Sequence, residues 1–270
     1  MVSQVSAQLV LAAKTGPELP SIDDFLPDPI LFQGTPFAIN RIILIRIVAT
    51  IVLLLVMCIT AKRAKLVPGR WQGLIETLLE FVRDNIVYQV MGEERGRRYV
   101  PMITTLFFTS FAFNLCGVIP GMNMAATATV TMPLVFALWT FVQYWIAACR
   151  EKGFFKYLRG ELIPPGVPLP IDIILGPINL LEVLIIRPFS LTVRLFANMI
   201  AGHLLVATCL AFTQFYIIES PNWGIKPVGA LWLLGGFAFV CFEMFVAALQ
   251  AYVFAILSTV YINQSYPEVE

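Results

Sequence analysis

Long apolar runs separated by short charged segments set the pattern of this chain. Ile39 to Ala61 is hydrophobic apart from Arg41 and Arg46 near its start, long enough to cross a bilayer core of about 30 Å as a helix. Val100 to Ile119 and Thr131 to Cys149 are two further runs of the same kind. Ile171 to Tyr216 and Val228 to Ile262 are longer still. A straight helix over the first of these would reach about 69 Å, roughly twice the hydrocarbon thickness. Two overlong segments joined by the turn Glu219 to Pro227 predict a tilted antiparallel hairpin over 171–262. Pro68 to Met91 departs from the pattern. Leu74, Leu78, Phe81 and Val82 recur at helical spacing, and Glu76, Glu80, Arg83 and Asp84 fill the other positions. That predicts an amphipathic helix, lying on the membrane face or docked on neighbouring protein.

The expected fold class is therefore an all-α polytopic membrane protein with about five embedded helices and one surface amphipathic helix. Residues 1–38 form an acidic N-terminal segment carrying Glu18, Asp23, Asp24 and Asp28, with a short amphipathic helix expected at Val5 to Ala13. Residues 39–270 are expected to form a single helical membrane domain. Charged loops are expected at Glu93 to Arg98 and around Arg150, Lys152, Lys156 and Arg159, and an uncharged one at Gly121 to Thr129. Pro164, Pro165, Pro168 and Pro170 make a stiff connector. There is no internal repeat, so the inverted-repeat plan of many transporters has no support.

Composition sharpens this picture. Of 270 residues 59% are hydrophobic and only 13% charged, against roughly 45–50% and about 25% in soluble domains. Arg and Lys concentrate in 62–99 and 150–160, which the positive-inside rule assigns to the cytoplasm. The N-terminus is then outside and the C-terminus inside. The N-terminus lacks the basic start and compact apolar core of a secretory signal. The five cysteines are scattered singly with no CxxC pair, and there is one histidine, so neither a metal site nor a cofactor is indicated. No GxxxxGK[ST] motif is present, so any ATP chemistry belongs to a partner.

The candidate chemistry lies in the last two segments. Ser190, Arg194 and Asn198 fall at i, i+4 and i+8, on one helix face, with Arg187 roughly on it. Glu243 and Gln250 share a face of the final helix. Arg194 to His203 is about 13.5 Å of helical rise and Glu243 to Gln250 about 10.5 Å. In an antiparallel pair, setting Arg194 level with Gln250 brings His203 close to Glu243. A histidine–carboxylate pair towards the outer face suits a proton relay, because histidine titrates near neutral pH. A plain hydrogen bond tying two helices would use the same residues. An arginine within lipid is costly and marks a functional site by default. Its candidate internal partners are Glu182, about 18 Å away along a straight helix, and Glu243, better matched to His203. An arginine without an internal partner points to a carboxylate on another chain.

PxSLxxRLFANMxAGH (Pro188 to His203), ALQAYVFAIL (Ala248 to Leu257) and NLCGVIP (Asn114 to Pro120) closely resemble subunit a of the F-type ATP synthase, the proton-channel stator of its membrane sector. The resemblance runs from about Ile39 to the C-terminus. It implies that Arg194 is the essential arginine facing the carboxylate of each passing subunit c in the rotor ring. Asn198 and Gln250 match polar positions near that arginine, Ser190 a serine near the inner side, and His203 with Glu243 the pair lining the outer half-channel. In some members the acid and imidazole occupy the opposite helices, a swap that preserves the pair. The chain departs from the family at Ala125 to Val130, where many relatives carry an acidic residue, and Glu182 lies nearer to Pro188 than its family counterpart. The resemblance implies a non-catalytic channel subunit partnered by the subunit c ring, peripheral-stalk subunit b, other ATP synthase subunits and the lipid bilayer, without nucleic acid. It also implies the bacterial plasma membrane, with the mitochondrial inner membrane as the alternative, and protons in preference to sodium. Two other classes compete: a self-contained transporter using Arg194 to bind an anionic substrate, and a scaffold subunit of a respiratory complex.

Overall fold

The computed structural model describes residues 29–31, 39–65, 67–118, 129–162, 169–219 and 223–266. The expected helix at Val5 to Ala13, the loop Gly121 to Ala128 and three of the four connector prolines lie outside them. Two short strands, β1 (Pro29–Leu31) and β2 (Ile39–Asn40), pair antiparallel ahead of the helices. Most of the rest is helical, with π-helical turns at Phe81–Tyr88, Glu182–Ile186 and Phe215–Glu219 and the α-helices α1 (Arg41–Lys62), α2 (Arg70–Glu80), α3 (Gln89–Gly96), α4 (Val100–Val118), α5 (Thr131–Glu151), α6 (Phe154–Leu162), α7 (Leu169–Leu181), α8 (Arg187–Gln214) and α9 (Lys226–Gln264). Among the described residues five helices are long and apolar enough to cross a membrane, at the places the apolar runs predict. Two expected loops are helical instead. Glu93 to Gly96 belongs to α3, after a kink at Gly92, and the basic segment after α5 folds as α6. Pro170 falls in the first turn of α7, where its missing N–H costs nothing.

By its internal packing the chain divides into two units, Ile42–Ala197 with Ala247–Glu270, and Met1–Arg41 with Asn198–Val246. The core of the first is apolar, with Ile86, Ile103, Tyr144, Leu191 and Phe254 all buried. Small residues Ala247, Ala251, Ala255 and Ser258 line the buried side of α9 here, the composition that lets helix backbones approach closely in lipid. The Thr140 and Ser258 hydroxyls meet at 3.2 Å inside it. The end of α9 is tied down. Asn263 Nδ2 donates to Val90 O at 3.1 Å, the Tyr266 and Tyr99 hydroxyls are 3.0 Å apart, and Arg95 lies over the Tyr266 ring at 5.2 Å. Burial pushes the Tyr99 phenol above its usual range, so it stays protonated.

Pro188 would break the long helix between α7 and α8, and the structure shows how it is accommodated. Glu182–Ile186 widens into a π-helical turn, and the Arg187 N–H donates to Glu182 O, five residues back. Pro188 has no N–H for the next carbonyl, that of Val183. The Tyr144 hydroxyl takes its place and donates to Val183 O, both residues being buried. Tyr144→Phe is expected to leave that carbonyl unpaired at a cost of about 1–3 kcal/mol, read as a lowered Tm of the detergent-solubilised complex.

In the second unit the facing helices run antiparallel. Gly202 faces Glu243, Cys209 faces Gly236, and Ile217 faces Gly229, while the Phe212 and Trp232 rings stack with centroids 4.5 Å apart. From Gly202 to Cys209 to Ile217 the chain advances seven and eight residues while the partners step back seven and seven, from Glu243 to Gly236 to Gly229, the near-regular pattern of an antiparallel hairpin.

Candidate functional site

His203 and Glu243 come together as the spacing predicts. His203 Nδ1 lies 3.3 Å from Glu243 Oε1, and both side chains are 8% exposed. The contact has the distance of an ion pair without hydrogen-bond alignment, since Oε1 has no hydrogen-bond partner. Gly202 makes the approach possible. A Cβ at this position would stand 2.9 Å from Glu243 Oε1 and 3.1 Å from its carboxyl carbon. Only the absence of a side chain lets the carboxylate lie flat against α8 next to the imidazole. Sequence reasoning passed over Gly202, although a glycine next to the only histidine, on a helix facing a glutamate, was the available signal. Gly202→Ala is expected to push the Glu243 carboxylate away from His203 with little loss of stability and to lower gradient-driven ATP synthesis several-fold. Gly236→Ala, whose Cβ would meet Cys209 at an ordinary 3.4 Å, is expected to be tolerated. Vesicle assays of the two variants side by side check this.

The remaining candidates on α8 and α9 are laid out differently. Arg194 is exposed at the surface of its unit and makes no salt bridge among the described residues. Gln250 is buried, and among the described residues its Nε2 has no hydrogen-bond partner. Ser190 is half-buried, as is Asn198, the first α8 residue of the other unit. Both carboxylates that could have neutralised Arg194 lie against other groups. Glu243 sits against His203, and Glu182 Oε1 is 3.5 Å from Arg187 Nε. Arg187 is mostly buried, lies over the Tyr261 ring at 5.1 Å, and among the described residues its Nη1 has no hydrogen-bond partner. The Glu182–Arg187 pairing was not anticipated. Its five-residue separation faces correctly only on the π-helical turn beneath it. Outside these helices, the Arg46 guanidinium donates to the Thr129 hydroxyl.

Five apolar helices of membrane-crossing length, with a histidine–glutamate pair and an exposed arginine on the last two, define a polytopic helical membrane protein that carries ionisable groups within its spans. A family model described as ATP synthase A chain matches residues 42–263. ATP synthase subunit a of Rhodococcus erythropolis (strain PR4) is 39% identical over 245 residues, covering 90% of this chain and 88% of the relative. Subunit a of Streptomyces lividans is 32% identical over 256 residues, 92% of this chain and 88% of the relative. That of Gluconacetobacter diazotrophicus is 36% identical over 221 residues, 81% and 85%. The chain belongs to the ATP synthase A chain family and is a membrane-embedded component of an ATP synthase.

Proposed function

We propose that this chain is the proton-translocating stator of a rotary F-type ATP synthase in the bacterial plasma membrane, with its N-terminus outside and its C-terminus in the cytoplasm. Protons enter from outside past His203 and Glu243 and protonate a carboxylate on the subunit c rotor ring. The ring carries that carboxylate through lipid for nearly a full turn. On its return it meets Arg194, releases the proton to an inner half-channel on the side of Ser190, and moves on. Asn198 and Gln250 flank the encounter as polar neighbours. Subunit b of the peripheral stalk holds the chain against the torque.

The observation that carries this reading is that Arg194 is exposed and makes no ion pair among the described residues, while Glu182 and Glu243 face other partners. A guanidinium in lipid without its own counter-charge needs an acid from elsewhere. A self-contained transporter would instead line an internal cavity with it, and a scaffold would bury it in a fixed pair. The positive charge favours the ionised form of an approaching carboxylate and repels protons, which blocks a direct leak. Each proton crossing 100 mV supplies about 2.3 kcal/mol to drive rotation. ATP-driven proton pumping and gradient-driven ATP synthesis by reassembled complexes, measured with Arg194 intact and replaced, test the proposal.

A further inference from the structure

Helix α6 begins two residues after the end of the span α5. Between them Gly153 adopts φ +80, a left-handed conformation that glycine reaches without a Cβ clash, and this ends the span and redirects the chain. Tyr157 is the inward anchor of α6. It is buried, meets the Trp145 ring edge-on at 5.6 Å, and carries Lys152 Nζ 5.6 Å from its own ring centroid. That contact sets the roll of the helix. Phe155, two residues earlier and so on the far side of a 3.6-residue turn, is 84% exposed, and its neighbour Phe154 is 48% exposed. Lys156 and Arg159 are exposed beside them.

A nine-residue helix joined to a span by two residues must begin within about 11 Å of the end of that span, near the membrane boundary. Phe154 packs its ring 5.8 Å from that of Trp145, so Phe155 is the outward phenylalanine; flanked by cations it is costly in bulk water, but it matches the acyl–headgroup region of a leaflet rich in anionic lipid. We propose that α6 is an interfacial lipid-binding helix: Phe155 enters the headgroup boundary of the inner leaflet, and Lys156 and Arg159 bind the phosphate groups of anionic phospholipid. A protein partner is disfavoured by the position of the helix at the end of a span and by its cations, which suit a surface carrying many phosphates. The inference rests on the membrane placement of α5 and is independent of the proton path.

The test uses the complete ATP synthase with benzoylphenylalanine at position 155, reconstituted in vesicles of equimolar phosphatidylglycerol and phosphatidylcholine. After irradiation, mass spectrometry identifies what is attached to this chain. The expected adducts are phospholipid, with phosphatidylglycerol exceeding phosphatidylcholine about threefold or more, and the ratio falls towards one in Lys156→Gln/Arg159→Gln. Each single substitution is carried in parallel, in case the double variant fails to assemble, and is expected to lower the ratio part of the way. Adducts to another subunit, or a ratio near one with the native cations present, would overturn the assignment. ATP synthesis by the same vesicles reports the proton pathway separately.

Discussion

Membranes carrying Arg194→Lys are expected to assemble the complex normally and to lose gradient-driven ATP synthesis and ATP-driven proton pumping by about two decades or more. Removing or misplacing one partner of a buried charge pair costs about 3–5 kcal/mol, and each decade of rate corresponds to about 1.4 kcal/mol. Lysine keeps the positive charge, so the change isolates what else the guanidinium supplies. Arginine presents a planar fork that can grip a carboxylate through two parallel bonds, and it stays protonated under all conditions met in a membrane. A lysine ammonium binds as a point charge, is more strongly hydrated, and sheds its proton more easily when desolvated. Arg194→Ala removes the charge as well. It is expected to abolish coupled turnover and to raise passive proton leak, because nothing then repels protons between the half-channels. The pairings of Glu182 with Arg187 and Glu243 with His203 leave neither carboxylate as an obvious substitute partner. Near wild-type pumping by the lysine variant, in complexes shown to be intact, would remove the motor reading.

Exchanging the partners of the His203–Glu243 pair is the second decisive experiment. His203→Ala and Glu243→Gln are each expected to reduce proton-driven ATP synthesis about a hundredfold, at the low end of what a positioned acid–base group contributes. The double variant is expected to be little worse than either single change, because groups acting as one relay lose their function together. The exchange His203→Glu/Glu243→His is expected to recover much of the rate, since the two groups meet across a regular antiparallel hairpin and the pair is preserved with its sides reversed. Gly202 limits the recovery, because it shapes the α8 surface for a carboxylate arriving from α9. If the contact only ties two helices together, the single changes should lower Tm without lowering proton flux, and the exchange should bring no kinetic gain.

The expected register and its outcome show how far helical arithmetic reaches. With Arg194 set level with Gln250, rise per residue brings His203 close to Glu243, and the structure holds that second pair at 3.3 Å. Gln250, set level with Arg194 in that register, has no hydrogen-bond partner for its Nε2 among the described residues. Arithmetic fixes height along an axis. It does not fix the rotation of a helix or the reach of a long side chain, and those decide whether two groups touch.

Segments with mixed composition were the least legible. Phe154–Leu162 reads as a charged loop because four basic residues around it outweigh its few apolar ones, and nine residues make a weak periodic signal. It is a helix because Tyr157 docks on Trp145, a contact with another element. The π-helical turn at Glu182–Ile186 was equally hidden, since the residue that makes it necessary, Pro188, lies beyond it and the one that completes it, Tyr144, is on α5.

The amino-acid order by itself determined the five apolar helices and the residues able to carry charge within them. Those follow from solvation, which acts on each segment and each side chain separately. Tertiary structure decided which charges neutralise one another. Glu182 goes to Arg187, Glu243 lies against His203 across Gly202, and Arg194 stays exposed. Ion pairing falls steeply with distance and needs both partners desolvated together, so it is settled only when helix faces, turns and glycine clefts have been brought into register.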